Sequence, residues 1–159
     1  MRFSATILAF SLLAGLGGAA LSPAPAAAQS AQSSSSVTVE SFGEALSAFR
    51  AQAGLGAVRE DALLHRAAQA YAEDMARHGY FSHTGRDGGN VATRARAAGC
   101  RSRGYFAENI AWGQDTANDS FQGWAASPGH RANMLGPRYK VYGLGQAGGY
   151  WVLVFSDRC

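Results

Sequence analysis

Two histidines and one glutamate in the second half of the chain are the residues best suited to chemistry. His83 opens a glycine-rich loop, and Glu108 lies on a predicted strand. His130 follows Ser127-Pro128-Gly129 at the start of a predicted helix. Two imidazoles and a carboxylate suit zinc with an open coordination position. Their separations of 25 and 22 residues form no local motif, so a structural hydrogen-bonding role is the alternative for each residue.

The other histidines and two nearby serines are assigned structural roles. His65 lies off the apolar stripe of a predicted helix, whereas His78 lies in the last turn of that helix, where the helix dipole favours a positive charge. Ser82 and Ser127 are each close to a histidine in sequence, but neither lies in a Gly-x-Ser-x-Gly elbow. A serine-hydrolase triad is therefore disfavoured.

Two amphipathic helices are predicted before His83. The first has apolar residues at steps of three and four, with a Ser41–Glu44 capping box and an end at Gly54. Its stripe consists of Val39, Phe42, Leu46, Phe49 and Ala53. The second begins after Asp61 and ends at Gly79. Its stripe consists of Leu64, Ala68, Tyr71, Met75 and His78.

A short helix and a strand follow the glycine-rich loop. Asn90 is the predicted cap of the helix, which ends at Gly99. Residues 106–112 alternate large and small side chains, which predicts a strand. Because side chains alternate between the faces of a strand, Glu108 shares a face with three large apolar residues.

The remaining elements complete the predicted fold. Residues 116–126 form a predicted helix that Ser127-Pro128 interrupts, and Pro128 opens another helix with Ser127 as its cap. Residues 140–147 and 150–155 form a hairpin around Gly148-Gly149. The second hairpin strand is apolar at consecutive positions, so both faces should be covered. An α+β fold is predicted, a three-layer α-β-α sandwich with a small antiparallel sheet.

The N-terminal residues predict export. Residues 1–28 contain a basic start, an apolar run and an A-x-A site at Ala26 and Ala28, which together are typical of a cleaved signal peptide. Three glycines interrupt the run, which disfavours the alternative of a membrane anchor. Residues 29–36 are a Ser/Gln-rich leader, and the folded domain is predicted over 37–159. The exported protein, extracellular or periplasmic, is expected to have no transmembrane span.

An oxidising compartment favours a disulfide between Cys100 and Cys159, the two cysteines of the chain. The chain-entropy relation gives such a bridge up to about 4 kcal/mol of stability.

Length and charge exclude several classes of protein. The chain has 159 residues, of which 47% are hydrophobic, and these values predict one globular domain, a monomer. A net charge of +3 is too small to indicate nucleic-acid binding. Five arginines opposed by Asp87 could attract anionic envelope polymers or lipid head groups, or could form a solvated face. They are Arg86, Arg94, Arg96, Arg101 and Arg103.

Four separated blocks of sequence resemble the bacterial branch of the CAP superfamily, which includes the cysteine-rich secretory, venom antigen and pathogenesis-related proteins. The blocks are Phe81-Ser82-His83, Ala107-Glu108-Asn109-Ile110-Ala111, residues 124–135 (WAASPGHRANML) and Gly143-Leu144-Gly145 before Tyr150-Trp151. The second predicted helix fits as well. Four blocks in consistent order are far more specific than any one of them.

The resemblance implies an α-β-α sandwich, secretion and a cleft with two histidines and two acidic residues, which binds a divalent metal in some members. His83, Glu108 and His130 match three of the four positions. The fourth, a glutamate in the family, is Ser127 here, which should weaken metal affinity because a hydroxyl is a poor ligand. Arg94 and Asn109 also match family positions and are interpreted as structural hydrogen-bonding residues.

Two classes of function follow. The favoured class is a non-catalytic extracellular module that binds lipid, envelope polymer or protein, because the fourth polar group is missing. The alternative is a hydrolase that uses zinc or magnesium held by His83, Glu108 and His130. Trp112, Trp124 and Trp151 could form a ligand platform, although tryptophans on helices and strands are usually core residues.

Overall fold

The structure is a computed structural model that describes residues 39–159, with side chains from residue 42. The predicted signal peptide and leader lie outside the described residues. Within the described part of the chain there are five helices: α1 (Val39–Gln52), α2 (Ala62–His78), α3 (Val91–Ala97), α4 (Ala117–Ala126) and α5 (Pro128–Met134). The strands of the same part are β1 (Arg59–Glu60), β2 (Phe106–Trp112), β3 (Val141–Ala147) and β4 (Tyr150–Ser156).

Local sequence signals determine where most helices begin and end. The Asp61 carboxylate accepts from the backbone N–H groups of Leu63 and Leu64 at 2.9 and 3.2 Å, which caps α2 as predicted. Gly79, with a φ of 64°, ends the same helix in the left-handed conformation. The Asn90 side chain caps α3. The Ser41–Glu44 capping box was a wrong prediction, because α1 already begins at Val39.

The sheet has the strand order β1-β3-β4-β2. The predicted hairpin of β3 and β4 is confirmed, and β2 pairs antiparallel with β4, with Glu108 opposite Val154. β1 pairs parallel with β3 and was not predicted, because two residues are too short to show alternation. β2 pairs with β4 alone, so it forms one edge of the sheet.

Helices cover both faces of the sheet and form two cores. One core lies under α2 and α3 and includes Leu64, Met75, Ala95, Ile110, Val152 and Val154. The other lies under α1, α4 and α5 and includes Phe42, Leu46, Trp124, Met134, Leu153 and Phe155. Successive residues of β4 therefore enter opposite cores, which explains its continuous apolar sequence. The predicted α+β three-layer α-β-α sandwich is confirmed.

Two glycines of β3 allow α2 to lie directly against the sheet. A Cβ atom at Gly143 would clash with the backbone of Leu64 and His65, and one at Gly145 would clash with the backbone of Ala68 and Gln69. Close approach of two backbones requires glycine at such positions. The Gly-Leu-Gly sequence of β3 thus sets the distance between the helix and the strand.

The two cysteines form the predicted disulfide. Cys100 follows α3 and Cys159 follows β4, and their Cα atoms are 4.9 Å apart across a sequence separation of 59. The bridge joins the segment that leads into β2 to the segment that leaves β4. Between residues 39 and 159, no helix is long and apolar enough to cross a bilayer.

Candidate functional site

The candidate site lies along β2, at the edge of the sheet. Alternation along this strand directs Glu108 toward the α2–α3 layer and Asn109 toward the α4–α5 layer. The carbonyl oxygens of Glu108 and Ile110 accept hydrogen bonds from the side chains of Asn133 and Trp124, each at 3.2 Å. Side chains from α4 and α5 therefore hold this edge in place.

The carboxylate of Glu108 is buried and has a partner on each oxygen. His83 Nδ1 lies 2.8 Å from Oε1, and Arg94 Nη2 donates to Oε2 at 2.6 Å. An ionised carboxylate accepts hydrogen bonds only. The proton of this contact therefore belongs to His83 Nδ1, which leaves Nε2 as the free ring nitrogen of a side chain that is 57% exposed.

Arg94 of α3 holds the carboxylate and the histidine loop together. Besides its bond to Glu108, it donates to the carbonyl oxygens of Gly89 at 2.8 Å and of His83 at 3.2 and 3.3 Å. Its guanidinium also lies over the Tyr71 ring, 3.4 Å from the centroid. This geometry agrees with the structural role predicted for Arg94, and it explains how a loop can hold His83 beside β2.

His130 enters the site from the first turn of α5. Its backbone carbonyl accepts from Asn109 Nδ2 at 3.1 Å, and Asn109 Oδ1 in turn accepts from Asn133 at 2.8 Å. Burial lowers the pKa of the His130 imidazole below its ordinary value of 6.5, and the charge of His83 lowers this pKa further. The second effect requires the His130 ring to lie within electrostatic range of His83.

Ser127 lies at the junction of α4 and α5, half-buried and one helical turn before His130. Pro128 opens α5 as predicted, and Ser127 occupies the N-cap position. The predicted cap position is therefore confirmed, although the Ser127 side chain makes no capping hydrogen bond. The backbone N–H of Ser127 donates to the carbonyl oxygen of Trp124, in the last turn of α4, at 3.2 Å.

The predicted ligand set of His83, Glu108 and His130 does not fit a metal ion in this arrangement. In the part of the chain that the structure describes, no group of three or more His, Cys, Asp or Glu side chains is placed to hold one. Both oxygens of Glu108 already accept hydrogen bonds, from His83 and from the cationic Arg94, and Ser127 supplies no second carboxylate. A metal at this site remains a prediction from the resemblance.

Exposed aromatic side chains lie next to the His83 loop. Trp112 is 61% exposed and stacks on Tyr150, with centroids 5.8 Å apart and an interplanar angle of 23°. Phe81 is 50% exposed and lies 6.5 Å from the same tyrosine ring. We call Phe81, Trp112 and Tyr150 the aromatic ledge. Trp124 and Trp151 are buried, as expected for core residues.

Sequence reasoning missed the role of Arg50. This arginine of α1 is 1% exposed and donates to the carbonyl oxygens of Gly56 at 2.9 Å, Met134 at 2.7 Å and Gly136 at 3.1 Å. Burial lowers the pKa of its guanidinium. Arg50 therefore joins the C-terminal ends of α1 and α5 and supports the helix that carries His130. A lone arginine in an amphipathic helix gave no sign of this.

The fold and the site define an α-β-α sandwich with a histidine and glutamate pair at a sheet edge. Residues 44–155 match the family described as the cysteine-rich secretory protein family, CAP. This match covers well over half of the chain, and the protein belongs to that family.

Relatives with known sequences or structures agree with this assignment. The chain is 33% identical over 145 residues to the protein YkwD of Bacillus subtilis (strain 168), across 86% of this chain and 56% of YkwD. It therefore spans little more than half the length of that relative. An extracellular protein containing an SCP domain from Bacillus anthracis superposes with a TM-score of 0.70 at 24% identity, over 73% of this chain and 39% of that one.

A second solved structure covers nearly the whole of its own chain. An outer surface protein from Borrelia burgdorferi superposes with a TM-score of 0.68 at 19% identity, over 76% of this chain and 92% of that protein. At these identities the two solved structures establish the shared fold.

Proposed function

We propose that this protein is exported and acts as a non-catalytic binding module for lipid, envelope polymer or protein. The cleft around His83, Glu108 and His130, together with the aromatic ledge, is its ligand-binding surface. The observation that carries this proposal is the carboxylate of Glu108, which is buried and has both oxygens engaged by His83 and Arg94.

A carboxylate in that state is poorly suited to general-base catalysis. A base must accept a proton from substrate or water within hydrogen-bond distance, whereas each oxygen of Glu108 already accepts a hydrogen bond from His83 or Arg94. Ser127, which replaces the acidic residue of the family pattern, supplies no second carboxylate. These contacts favour a supporting role for Glu108, which orients His83.

The aromatic ledge supports a role in binding. Aromatic side chains and arginine are enriched where proteins contact partners, because they bury a large area at low entropic cost. Trp112 lies four residues after Glu108 on the same strand face, which is about 13 Å along the strand. One ligand could therefore contact the ledge and the exposed ring of His83 together.

Three observations support export. The first 28 residues have the pattern of a cleaved signal peptide. A disulfide such as Cys100–Cys159 persists in oxidising compartments. Two structural relatives are described as an extracellular protein and an outer surface protein. The test is the intact mass of protein recovered from the envelope or medium, which should begin at Gln29, whereas a product that begins at Met1 would contradict export.

The binding function is tested by the fluorescence of Trp112, the exposed tryptophan of the ledge. The exported protein is titrated with phosphatidylcholine vesicles and with soluble peptidoglycan fragments, and a saturable change in emission with one of them is expected. Trp112→Phe should remove the signal and Phe81→Ala should weaken binding. Trp124 and Trp151 are buried, so their emission should not change on binding and serves as an internal reference for the Trp112 signal.

Catalytic turnover would contradict the proposal of a non-catalytic binding module. A panel of peptide, ester and lipid substrates is assayed with the wild-type protein and with Glu108→Gln. Turnover by the wild type that disappears in a folded Glu108→Gln variant would contradict the proposal and support the hydrolase.

A further inference from the structure

We propose that a second cleft, lined by Arg101, Ser102, Arg103, Arg158 and Cys159, binds phosphate groups repeated along a soluble anionic polymer. We call this the arginine cleft. It has a volume of about 340 Å³ and contains no residue of the His83 site. The inference rests on the proposed function in one respect: the protein must be exported to encounter such a polymer. The arginine cleft can fail to bind phosphate while the His83 site still binds its own ligand.

The disulfide brings the cationic residues of this cleft together. Arg101 follows Cys100 directly and Arg158 precedes Cys159 directly, so each arginine is one residue from the bridge. The Cα atoms of the two cysteines are 4.9 Å apart. Two segments that are distant in sequence therefore present their guanidinium groups side by side, which the sequence alone could not show.

The positive charge of the cleft is only partly balanced. Arg101 and Arg103 are exposed and make no ion pair with any carboxylate among the described residues. Arg158 lies 3.7 Å from Asp157, but Arg158 is 75% exposed whereas Asp157 is 23% exposed. The guanidinium groups are thus the more accessible charges.

Asp157 is engaged within the protein. Its Oδ1 accepts from Ser102 Oγ at 3.0 Å and from Ser156 Oγ at 3.3 Å. Burial raises the pKa of Asp157, but the two hydroxyls and Arg158 together outweigh that effect and lower it below its ordinary value. The Asp157 carboxylate therefore fixes the orientation of Ser102, which lines the cleft. The Ser102 hydroxyl also accepts a hydrogen bond from the Gly104 N–H at 3.0 Å.

Two further arginines extend the positive surface around the start of β2. Arg138 lies over the exposed ring of Tyr105, 4.3 Å from the centroid, and Arg96 lies 5.9 Å from the centroid of Phe106. By contrast, Arg94 is committed to Glu108, and Arg86 lies in a separate groove beside Asp87. The five arginines grouped in the sequence analysis therefore do not form one surface. Arg96, Arg101 and Arg103 belong to the positive surface described here, whereas Arg86 and Arg94 do not.

The chemistry of the cleft favours phosphate on a polymer. The planar guanidinium group matches the oxygens of a phosphate with two parallel hydrogen bonds, and every cation here is arginine. A concave site of this size admits a single phosphate group with its flanking atoms. Arg96 and Arg138, which lie over the rings of Phe106 and Tyr105, add positive charge near the start of β2.

The test uses long-chain polyphosphate as the probe, compared with inorganic phosphate and with phosphatidylglycerol vesicles. Saturable binding of polyphosphate that weakens between about 50 and 200 mM salt is expected. Arg101→Gln/Arg103→Gln should weaken it about tenfold or more, because each loses a charge-assisted hydrogen bond. The matched control, Arg59→Gln/Arg77→Gln, removes the same charge from exposed sites elsewhere and should change affinity less than twofold.

Two results would overturn the proposal: no binding of polyphosphate, or equal loss of affinity in both double variants. Binding of vesicles in the absence of polyphosphate binding would indicate a membrane surface instead. His83→Ala should leave polyphosphate affinity unchanged, and this measurement separates a failure of the arginine cleft from a failure of the proposed His83 site.

Discussion

The guanidinium of Arg94 donates to Oε2 of the buried Glu108 carboxylate at a distance of 2.6 Å. Removal of one partner of a buried ion pair leaves the other charge without compensation, at a cost of about 3 to 5 kcal/mol. We therefore expect Arg94→Gln to lower the free energy of unfolding by that amount in urea denaturation. The double variant Arg94→Met/Glu108→Met should recover much of the loss, and equal destabilisation of both variants would contradict the assignment.

The imidazole of His130 is expected to titrate below pH 6.5. Burial and the charge of His83 both lower its pKa, so in NMR spectra of labelled histidine the midpoint of the His130 titration should lie below 6.5. His83→Gln should raise this midpoint, because it removes the neighbouring charge. A midpoint at or above 6.5 in the wild-type protein would show that the two rings are not in one partly buried cleft.

The same shift makes stability depend on pH. The folded state holds the His130 proton less tightly than the unfolded state, so the stabilisation is fully present above about pH 6.5 and declines as the pH falls below it. Urea denaturation across this range should show a smaller decline for His130→Gln than for the wild type.

Gly143→Ala is expected to destabilise the fold by about 2 kcal/mol or more, because the added Cβ would clash with the backbone of α2. Gly123 provides a matched control, since nothing lies within 4 Å of a Cβ built there and the residue is in the helix α4. Gly123→Ala should leave stability unchanged or raise it by up to about 1 kcal/mol. Thermal or urea unfolding of the two variants measures the difference.

Removal of the disulfide should lower the free energy of unfolding, but the protein should still fold. The chain-entropy relation gives an upper value of about 4 kcal/mol for Cys100→Ser/Cys159→Ser. Thiol titration of the denatured, unreduced wild-type protein should detect no free thiol. Detection of two thiols would contradict the bridge.

Zinc is expected to stabilise the protein only slightly, because Glu108 is engaged by Arg94 and Ser127 offers no carboxylate. Thermal unfolding at about pH 7.5, where histidine is mostly neutral, measures the effect with and without the metal. A rise in Tm of several degrees that disappears in His83→Ala/His130→Ala would contradict this expectation and favour the metal site implied by the family pattern.

Sequence patterns predicted the elements of the fold well, because hydrophobic period and capping residues act locally. Asp61 and Gly79 mark the ends of α2 in the sequence and in the structure. Local signals could not reveal β1, which exists only through its pairing with β3. The Ser-Pro sequence predicted the N-cap position of Ser127, but it could not show that the serine side chain makes no capping hydrogen bond.

The site was only partly accessible from sequence. Motifs drew attention to His83, Glu108 and His130, but residue type alone could not distinguish a ligand from a hydrogen-bonded carboxylate. That distinction depends on Arg94, which reaches Glu108 through tertiary packing. For the same reason Arg50 was missed, and the exposed Trp112 could not be distinguished from the buried Trp124 and Trp151, because burial is a property of the folded chain.

The edge strand β2 has a consequence for how partners can approach. An exposed edge normally offers unpaired carbonyl and N–H groups to which a strand of another chain can add. In this protein, side chains of Asn133 and Trp124 already occupy the carbonyls of Glu108 and Ile110. The middle of the edge therefore lacks two of the acceptors that an added strand would use, so a partner that reaches β2 there must recognise side chains rather than extend the sheet.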